Sequence, residues 1–140
     1  MSTVLWANHL LVDVVTSDES DKFALHRHLD KLDAICRDAG MPLLSSICDT
    51  TDLRFNMEDI ELPDGVTSTT ELMAKQGQWI AAARGVELLE KLLATVRQQK
   101  TRFGLLRNDH DAVVAELEES IAFARIAGAK KAQFNFCVVM

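Results

Sequence analysis

The C-terminal segment of the chain constrains its fold more than any other feature. Residues Ala132 to Val139 alternate in character, with Phe134, Phe136 and Val138 on one side. Alternation with a period of two is typical of a strand that buries one face. The segment from Thr3 to Val15 is also rich in β-branched and bulky residues, so we expect a strand there too. A chain with a strand at each end can bury the apolar faces of these strands only against the helices between them or against each other.

The first of three predicted helices follows Ser17–Ser20, where several side chains suit an N-cap, and it ends at Gly40. The segment from Leu43 to Gly65 keeps no sustained period, although it contains a turn signal at Pro63–Gly65. A short strand at Leu43–Cys48 is the regular element that we expect in this segment.

The second predicted helix begins at Ser68–Glu71, which has the spacing of a capping box. Gly77 and Gly85 both interrupt its apolar stripe, and we expect a break or bend near one of them. The third helix follows Asn108, a good N-cap residue, and ends at Gly128.

These elements predict an α+β fold, with three main amphipathic helices packed on a small sheet formed by the N- and C-terminal strands. A chain of 140 residues is the usual size of a single domain, so we expect one globular domain over residues 1–140. Two strands alone are marginal. Either Leu43–Cys48 adds a third strand or a second copy of the chain completes the sheet.

Composition excludes several classes of protein. The formal net charge is −6, and no stretch interleaves basic and aromatic residues, so we expect no nucleic acid partner. The apolar run from Val4 to Val15 is too short and too interrupted to cross a membrane or to direct secretion. Three cysteines, Cys36, Cys48 and Cys137, are typical of buried thiols in a cytoplasmic protein.

Acidic residues are concentrated in one segment. Between Asp49 and Glu71 lie seven acids and one base, whereas Arg97 to Arg107 is basic and contains no acid. Opposite charges on one small body favour docking within the chain or between copies, although solvated loops and helix ends would give the same pattern. The predicted interaction face consists of Asp49, Asp52, Glu58, Asp59, Glu61 and Asp64.

We therefore predict a non-enzymatic protein-interaction module that uses this acidic face, bound to a protein partner or to itself as a homodimer. Masking the basic active site of a toxin, or a regulatory role, would be special cases of this function. We expect no cofactor, no metal and no catalytic residue, because none of the common catalytic or phosphate-binding motifs occurs in the chain.

Two alternatives use other residues. A metal-dependent hydrolase would draw on the polar cluster Asn108, Asp109, His110 and Asp111, or on the Asp49 and Asp52 pair, although helix capping and turn formation explain both groups. A small-ligand-binding protein would use Trp79 as an aromatic wall beside Gly77 and Gly85, although a core tryptophan has the same spacing.

Three stretches together resemble a group of small uncharacterised bacterial proteins. They are Cys48–Asn56, Gly77–Trp79 with Gly85 and its Leu-rich helix, and Asp111–Leu117 followed by the aromatic strand. The resemblance covers most of the chain and implies a compact intracellular protein. It implies no activity, cofactor or site residue.

Overall fold

The computed structural model describes residues 3–140, and its architecture is α+β, as predicted. A 3₁₀ turn spans Leu44–Ile47. The strands are β1 (Val4–Leu11), β2 (Val14–Lys22), β3 (Cys48–Asp49), β4 (Ile80–Ala81) and β5 (Gln133–Val139). The α-helices are α1 (Phe23–Arg27), α2 (Leu29–Asp38), α3 (Thr51–Glu58), α4 (Thr69–Gln76), α5 (Ala82–Gln99) and α6 (His110–Ala129).

The C-terminal strand β5 lies inside the sheet, whose order is β2-β1-β5-β3. Along one edge, β5 pairs antiparallel with β1 from Val4 opposite Val139 to Leu10 opposite Gln133. Its other edge is shared by two short strands, because β3 pairs parallel beside Phe136 and β4 pairs antiparallel further toward the start of β5. The sheet therefore needs both termini, as the sequence predicts, and gains three further strands from β2, β3 and β4.

The two faces of the sheet are covered by different helices. Phe134, Phe136 and Val138 are buried on one face, as predicted, and they join a core with residues of α2, α5 and α6. Burial does not alternate along β5, however, because both faces of the strand are covered. Asn135 on the opposite face is also fully buried, with Met73 of α4 against it. The helices α3 and α4 therefore form a separate layer from α2, α5 and α6.

A buried polar network sets the register of the two central strands. Asn8 and Asn135 lie opposite each other in β1 and β5, and the Asn8 side chain donates to Asn135 Oδ1 at 3.0 Å. Ser17 Oγ donates to Asn8 Oδ1 at 2.6 Å, and Asn135 Nδ2 donates to the Gln78 carbonyl at 2.9 Å. A slip of one residue would leave buried amides without partners, so this network opposes any other register.

The prediction that Ser17–Ser20 caps a helix is wrong, because these residues lie within β2. Val12 and Asp13 both adopt positive φ angles, 48° and 62°, which reverses the chain in a two-residue hairpin turn. Strand β2 then runs back along β1 as far as Lys22, so the first helix begins only at Phe23. This helix is also interrupted, since α1 and α2 separate at His28.

Two further predictions for the first half of the chain need correction. The expected strand at Leu43–Cys48 is a 3₁₀ turn followed by the two-residue strand β3. Helix α3 was not predicted at all, and the structure shows why: it has no buried residue, so its sequence carries no apolar stripe.

The predicted cap and break in the second half are confirmed. Ser68 Oγ accepts from the Glu71 amide at 3.1 Å, although the Glu71 carboxylate bonds Thr67 instead of completing the capping box. Helix α4 ends at Gln76, and a Cβ atom on the following Gly77 would lie 2.4 Å from the Met73 carbonyl oxygen. The last helix differs slightly from prediction, since it passes through Gly128 and ends at Ala129.

Two helical glycines differ in what surrounds them, which generates a matched test. A Cβ atom on Gly85 would lie 2.9 Å from Phe134 Cδ2, whereas the nearest atom to one on Gly128 is 3.9 Å away. We expect Gly85→Ala to lower the free energy of unfolding by about 1–3 kcal/mol through overpacking. Gly128→Ala should raise it by up to about 1 kcal/mol through helix propensity. Urea denaturation measures both, and equal effects would contradict close packing of α5 on β5.

Candidate functional site

Asp49 does not belong to an exposed acidic face, contrary to prediction. Its exposed fraction is 4%, and its two carboxylate oxygens accept from the backbone amides of Thr51 and Gln78, both at 2.9 Å. These bonds join the start of α3 to the segment that enters β4. Asp49 is therefore a structural residue, because a buried carboxylate needs such partners.

Asp52 is half-buried and is also used within the fold. Its Oδ1 accepts from Thr69 Oγ1 at 2.7 Å, and its Oδ2 accepts from Asn56 Nδ2 at 3.0 Å. The first bond holds α3 against the start of α4. Asp49 and Asp52 thus position two helices, and all four of their carboxylate oxygens accept a hydrogen bond within the fold.

The other four predicted acids do face water. Glu58, Asp59, Glu61 and Asp64 are all exposed, and none of them makes an ion pair within residues 3–140. Two apolar side chains of the same segment are exposed as well: Met57 at 68% and Ile60 at 43%. We refer to these six residues, Met57, Glu58, Asp59, Ile60, Glu61 and Asp64, as the acidic surface.

A second exposed feature lies on the connection between α5 and α6. Residues 101–109, which we name the leucine loop, carry Leu105 and Leu106 with exposed fractions of 94% and 103%. Leucine is usually buried, and two adjacent side chains left wholly in water favour a site that another molecule covers. The basic character of this stretch is evident in the sequence, whereas the exposure of the two leucines is not.

The leucine loop is held in one shape by its own backbone and by one buried ring. Phe103 is fully buried, its amide donates to Asn108 Oδ1 at 2.9 Å, and its carbonyl accepts from the Asp109 amide at 2.7 Å. The Arg102 guanidinium donates to the carbonyl oxygens of Gly104 and Leu105, both at 2.9 Å. Leu105 and Leu106 are therefore displayed on an ordered loop.

Gly104 is required by the turn that it makes. Its φ is +104°, a conformation that L side chains rarely adopt, and a Cβ atom there would lie 2.3 Å from the Arg107 carbonyl oxygen. The chain can therefore turn sharply before the two leucines only because this residue has no side chain.

Asp109 joins the leucine loop to the helix layer beneath it. The residue is only 6% exposed, and its carboxylate oxygens lie 2.8 Å from His28 Nε2 and 2.9 Å from Arg107 Nε. Arg27 contributes a more distant charge at 3.8 Å. Hydrogen bonds from His28 and then Arg107 lower the pKa of Asp109 below its usual value.

The rest of the polar cluster at the start of α6 is also structural. His110 Nδ1 donates to the Thr101 carbonyl at 2.6 Å, and the His110 amide donates to Asn108 Oδ1 at 3.0 Å. Asp109, and not Asn108 as predicted, is the residue that precedes the first turn of α6. Asp111 is exposed in that turn, where the helix dipole favours a negative charge.

Two clefts adjoin the leucine loop and share Arg27, Arg107 and Asp109 in their walls. One of about 400 Å³ is lined by the leucines themselves and by His28. The other, of about 600 Å³, extends to Phe23, His26 and Glu116. The loop therefore presents two apolar side chains beside recesses whose walls combine Arg27 and Arg107 with the carboxylate of Asp109.

Glu116, in the wall of the larger cleft, has a structural role that the sequence did not suggest. Its carboxylate accepts from the Ala24 and Leu25 amides at 3.2 and 3.0 Å, which satisfies the first turn of α1 from another helix. Burial raises the pKa of Glu116 above its ordinary value.

Trp79 is half-buried and makes a structural bond. Its Nε1 donates to the Met73 carbonyl at 2.9 Å, and this bond joins the segment before β4 to the last part of α4. The clefts beside the leucine loop are lined by other residues. The predicted role of Trp79 as a ligand wall thus gains no support from its position.

The alternative of a metal-dependent hydrolase gains no support from the arrangement of possible metal ligands. In the part of the chain that the structure describes, no three or more His, Cys, Asp and Glu residues are grouped to hold a metal ion. Burial raises the pKa of Cys137 to about 11 and that of Cys48 further, so both remain thiols at neutral pH.

Among the described residues, no helix has the length and apolarity needed to cross a membrane.

The contacts of Asp109 predict how the loop responds to substitution and to pH. We expect Asp109→Asn to lower the free energy of unfolding at pH 7, because a charged acceptor for His28 and Arg107 is lost. A carboxyl group whose pKa is lower in the folded protein than in the unfolded chain stabilises the fold. This stabilisation is complete above the unfolded pKa of about 4, and it is lost as pH falls through the folded pKa. The difference in the free energy of unfolding between wild type and Asp109→Asn should therefore become smaller below about pH 4.

Denaturation at several pH values measures this difference. The matched control is Asp111→Asn, an exposed carboxyl two residues away on the same helix end, which should have the smaller effect at pH 7. Equal losses for the two variants would contradict the role given to Asp109.

Comparison with known proteins adds no relative to this description. No protein-family model, no curated protein and no solved structure matches the chain. The resemblance to small bacterial proteins stays an expectation.

Proposed function

We propose that this protein is a non-enzymatic protein-interaction module that binds its partner through the leucine loop. The observation that carries the proposal is the almost complete exposure of Leu105 and Leu106 on a loop of fixed shape. Burying one leucine side chain contributes roughly 1.5–3 kcal/mol, so covering both would supply a substantial part of a binding energy. Because the loop is ordered beforehand, little conformational entropy opposes that gain.

Basic groups around the loop support a protein partner that carries negative charge. Among residues 3–140, Arg102 donates only to carbonyl oxygens, and its charge is not neutralised there. Arg107 and Arg27 share the single carboxylate of Asp109 with His28. Arginine is one of the residue types in which interface hot spots are enriched.

A cross-linking experiment tests this function. A photoreactive amino acid replaces Leu105 in one strain of the native host and Val12 in another. Val12 is the matched control because it is 85% exposed at the tip of the β1–β2 hairpin, away from the leucine loop. We expect irradiation to give a discrete cross-linked protein from position 105 and none from position 12.

The Leu105→Ser/Leu106→Ser variant gives the second measurement. Because both leucines are exposed, its free energy of unfolding should stay within about 0.5 kcal/mol of wild type, as for ordinary surface substitutions. The protein cross-linked from position 105 should no longer copurify with it. No cross-link from position 105, or the same product from both positions, would overturn the proposal.

A further inference from the structure

We propose that the molecule bound by the leucine loop is a second copy of this chain, docked through its acidic surface, so that copies associate head to tail. This inference rests on the proposed function and names the partner. Three observations carry it: the charges of the two surfaces, their exposed apolar side chains, and their places in the fold.

The charges of the two surfaces are complementary. Glu58, Asp59, Glu61 and Asp64 face water without an ion pair in the described residues. The leucine loop carries Arg102, whose guanidinium bonds only carbonyl oxygens among the described residues. Some exposed charges elsewhere pair locally, as Arg97 does with Glu118. Others, such as Asp38 and Glu87, make no ion pair in the described residues. The two surfaces therefore carry unneutralised charge of opposite sign, four carboxylates on one and the Arg102 guanidinium on the other.

The apolar side chains of the two surfaces are complementary as well. Leu105 and Leu106 face water on the loop, while Met57 and Ile60 are 68% and 43% exposed within the acidic surface. Each set is apolar surface that a lone molecule leaves in water. Docking one set on the other would bury both, with opposite charges around them, as at a protein interface with an apolar core and a polar rim. Methionine adapts its shape readily to such a contact.

The acidic surface and the leucine loop lie in different layers of the fold, so they do not contact each other within one molecule. The acidic surface connects α3 to α4, the layer against the Asn135 face of the sheet. The leucine loop connects α5 to α6 and is tied through Asp109 to His28 beside α2, in the layer against the Phe134 face. Each surface must therefore find its complement on another molecule. A contact between two different surfaces is heterologous, and repeats into rings or filaments.

Mixing two variants tests this arrangement. Variant A, Glu58→Lys/Glu61→Lys/Asp64→Lys, loses the acidic surface and keeps the leucine loop. Variant B, Leu105→Ser/Leu106→Ser, keeps the acidic surface and loses the loop. All five positions are exposed, and circular dichroism with urea denaturation checks that both variants are folded. Sedimentation velocity then measures the size of each purified protein alone and of the equimolar mixture.

We expect wild-type protein to sediment faster as its concentration rises at 50 mM salt, and more slowly again at 500 mM, where charge attraction is screened. Variants A and B should each remain monomeric. Their mixture should form a one-to-one dimer, since A supplies one intact loop and B supplies one intact acidic surface. The control Asp38→Lys/Glu87→Lys, which reverses exposed acids outside the acidic surface, should associate like wild type.

Two results would overturn the inference. The first is wild-type protein that stays monomeric up to about 1 mM, a concentration at which even a weak complex with a dissociation constant in that range would form. This result would show that a second copy is not the partner. The proposed function would survive that result if position 105 cross-links to a different protein. A mixture of A and B that stays monomeric, while wild type associates, would show that the two surfaces do not meet each other.

Discussion

Hydrogen bonding along both edges of β5 is the constraint on which the rest of the structure depends. One edge pairs with β1, at the opposite end of the chain, and the other edge receives β3 and β4. The hairpin, the start of α3 and the entry to α5 are therefore all held in place by contacts with the last strand. Contacts of such long sequence separation make loop closure costly, and the buried Asn8 and Asn135 pair limits the strands to one register once they meet.

The same strand also determines where the leucine loop lies. Helix α6 leads into β5, and at its other end Asp109 is buried against His28 and Arg107. A buried carboxylate is tolerated because both oxygens have charged or polar partners, and breaking those bonds would leave it unsatisfied. The leucines cannot simply fold inward, because the carbonyl of Leu105 is held by Arg102 and the buried Phe103 anchors the loop on the other side. The hydrogen bonds within the loop therefore keep the two leucines exposed.

Features that depend on neighbouring residues were predictable from the sequence. The alternation of Phe134, Phe136 and Val138, the Ser68 cap and the break at Gly77 all follow from local periodicity and backbone chemistry. The hairpin at Val12 and Asp13 was not, because a β-branched residue at positive φ contradicts ordinary turn preferences. Helix α3 offered no apolar stripe to detect.

The candidate site was the least predictable part. His28 and Asp109 are 81 positions apart, so no spacing rule links them. In the sequence, Asp49 does not differ from the other six acids of its segment, because the fold alone brings the Gln78 amide to its carboxylate. Leu105 and Leu106 look like ordinary core residues in the sequence, since hydrophobic type alone does not indicate which leucines the fold leaves outside. The signal that was available is their position outside any periodic stripe, between Gly104 and Arg107.

Segregation of charge has more effect between molecules than it would have within one. An exposed ion pair inside a chain contributes only about 0–1 kcal/mol, so pairing the acidic surface internally would have stabilised the fold little. Unpaired like charges instead create a field that extends about a Debye length and steers an oppositely charged surface toward docking. Once leucine, methionine and isoleucine side chains exclude water from the contact, the charges around them are less screened and select the complementary surface over others. The apolar side chains thus provide affinity, and the separated charges provide the choice of partner.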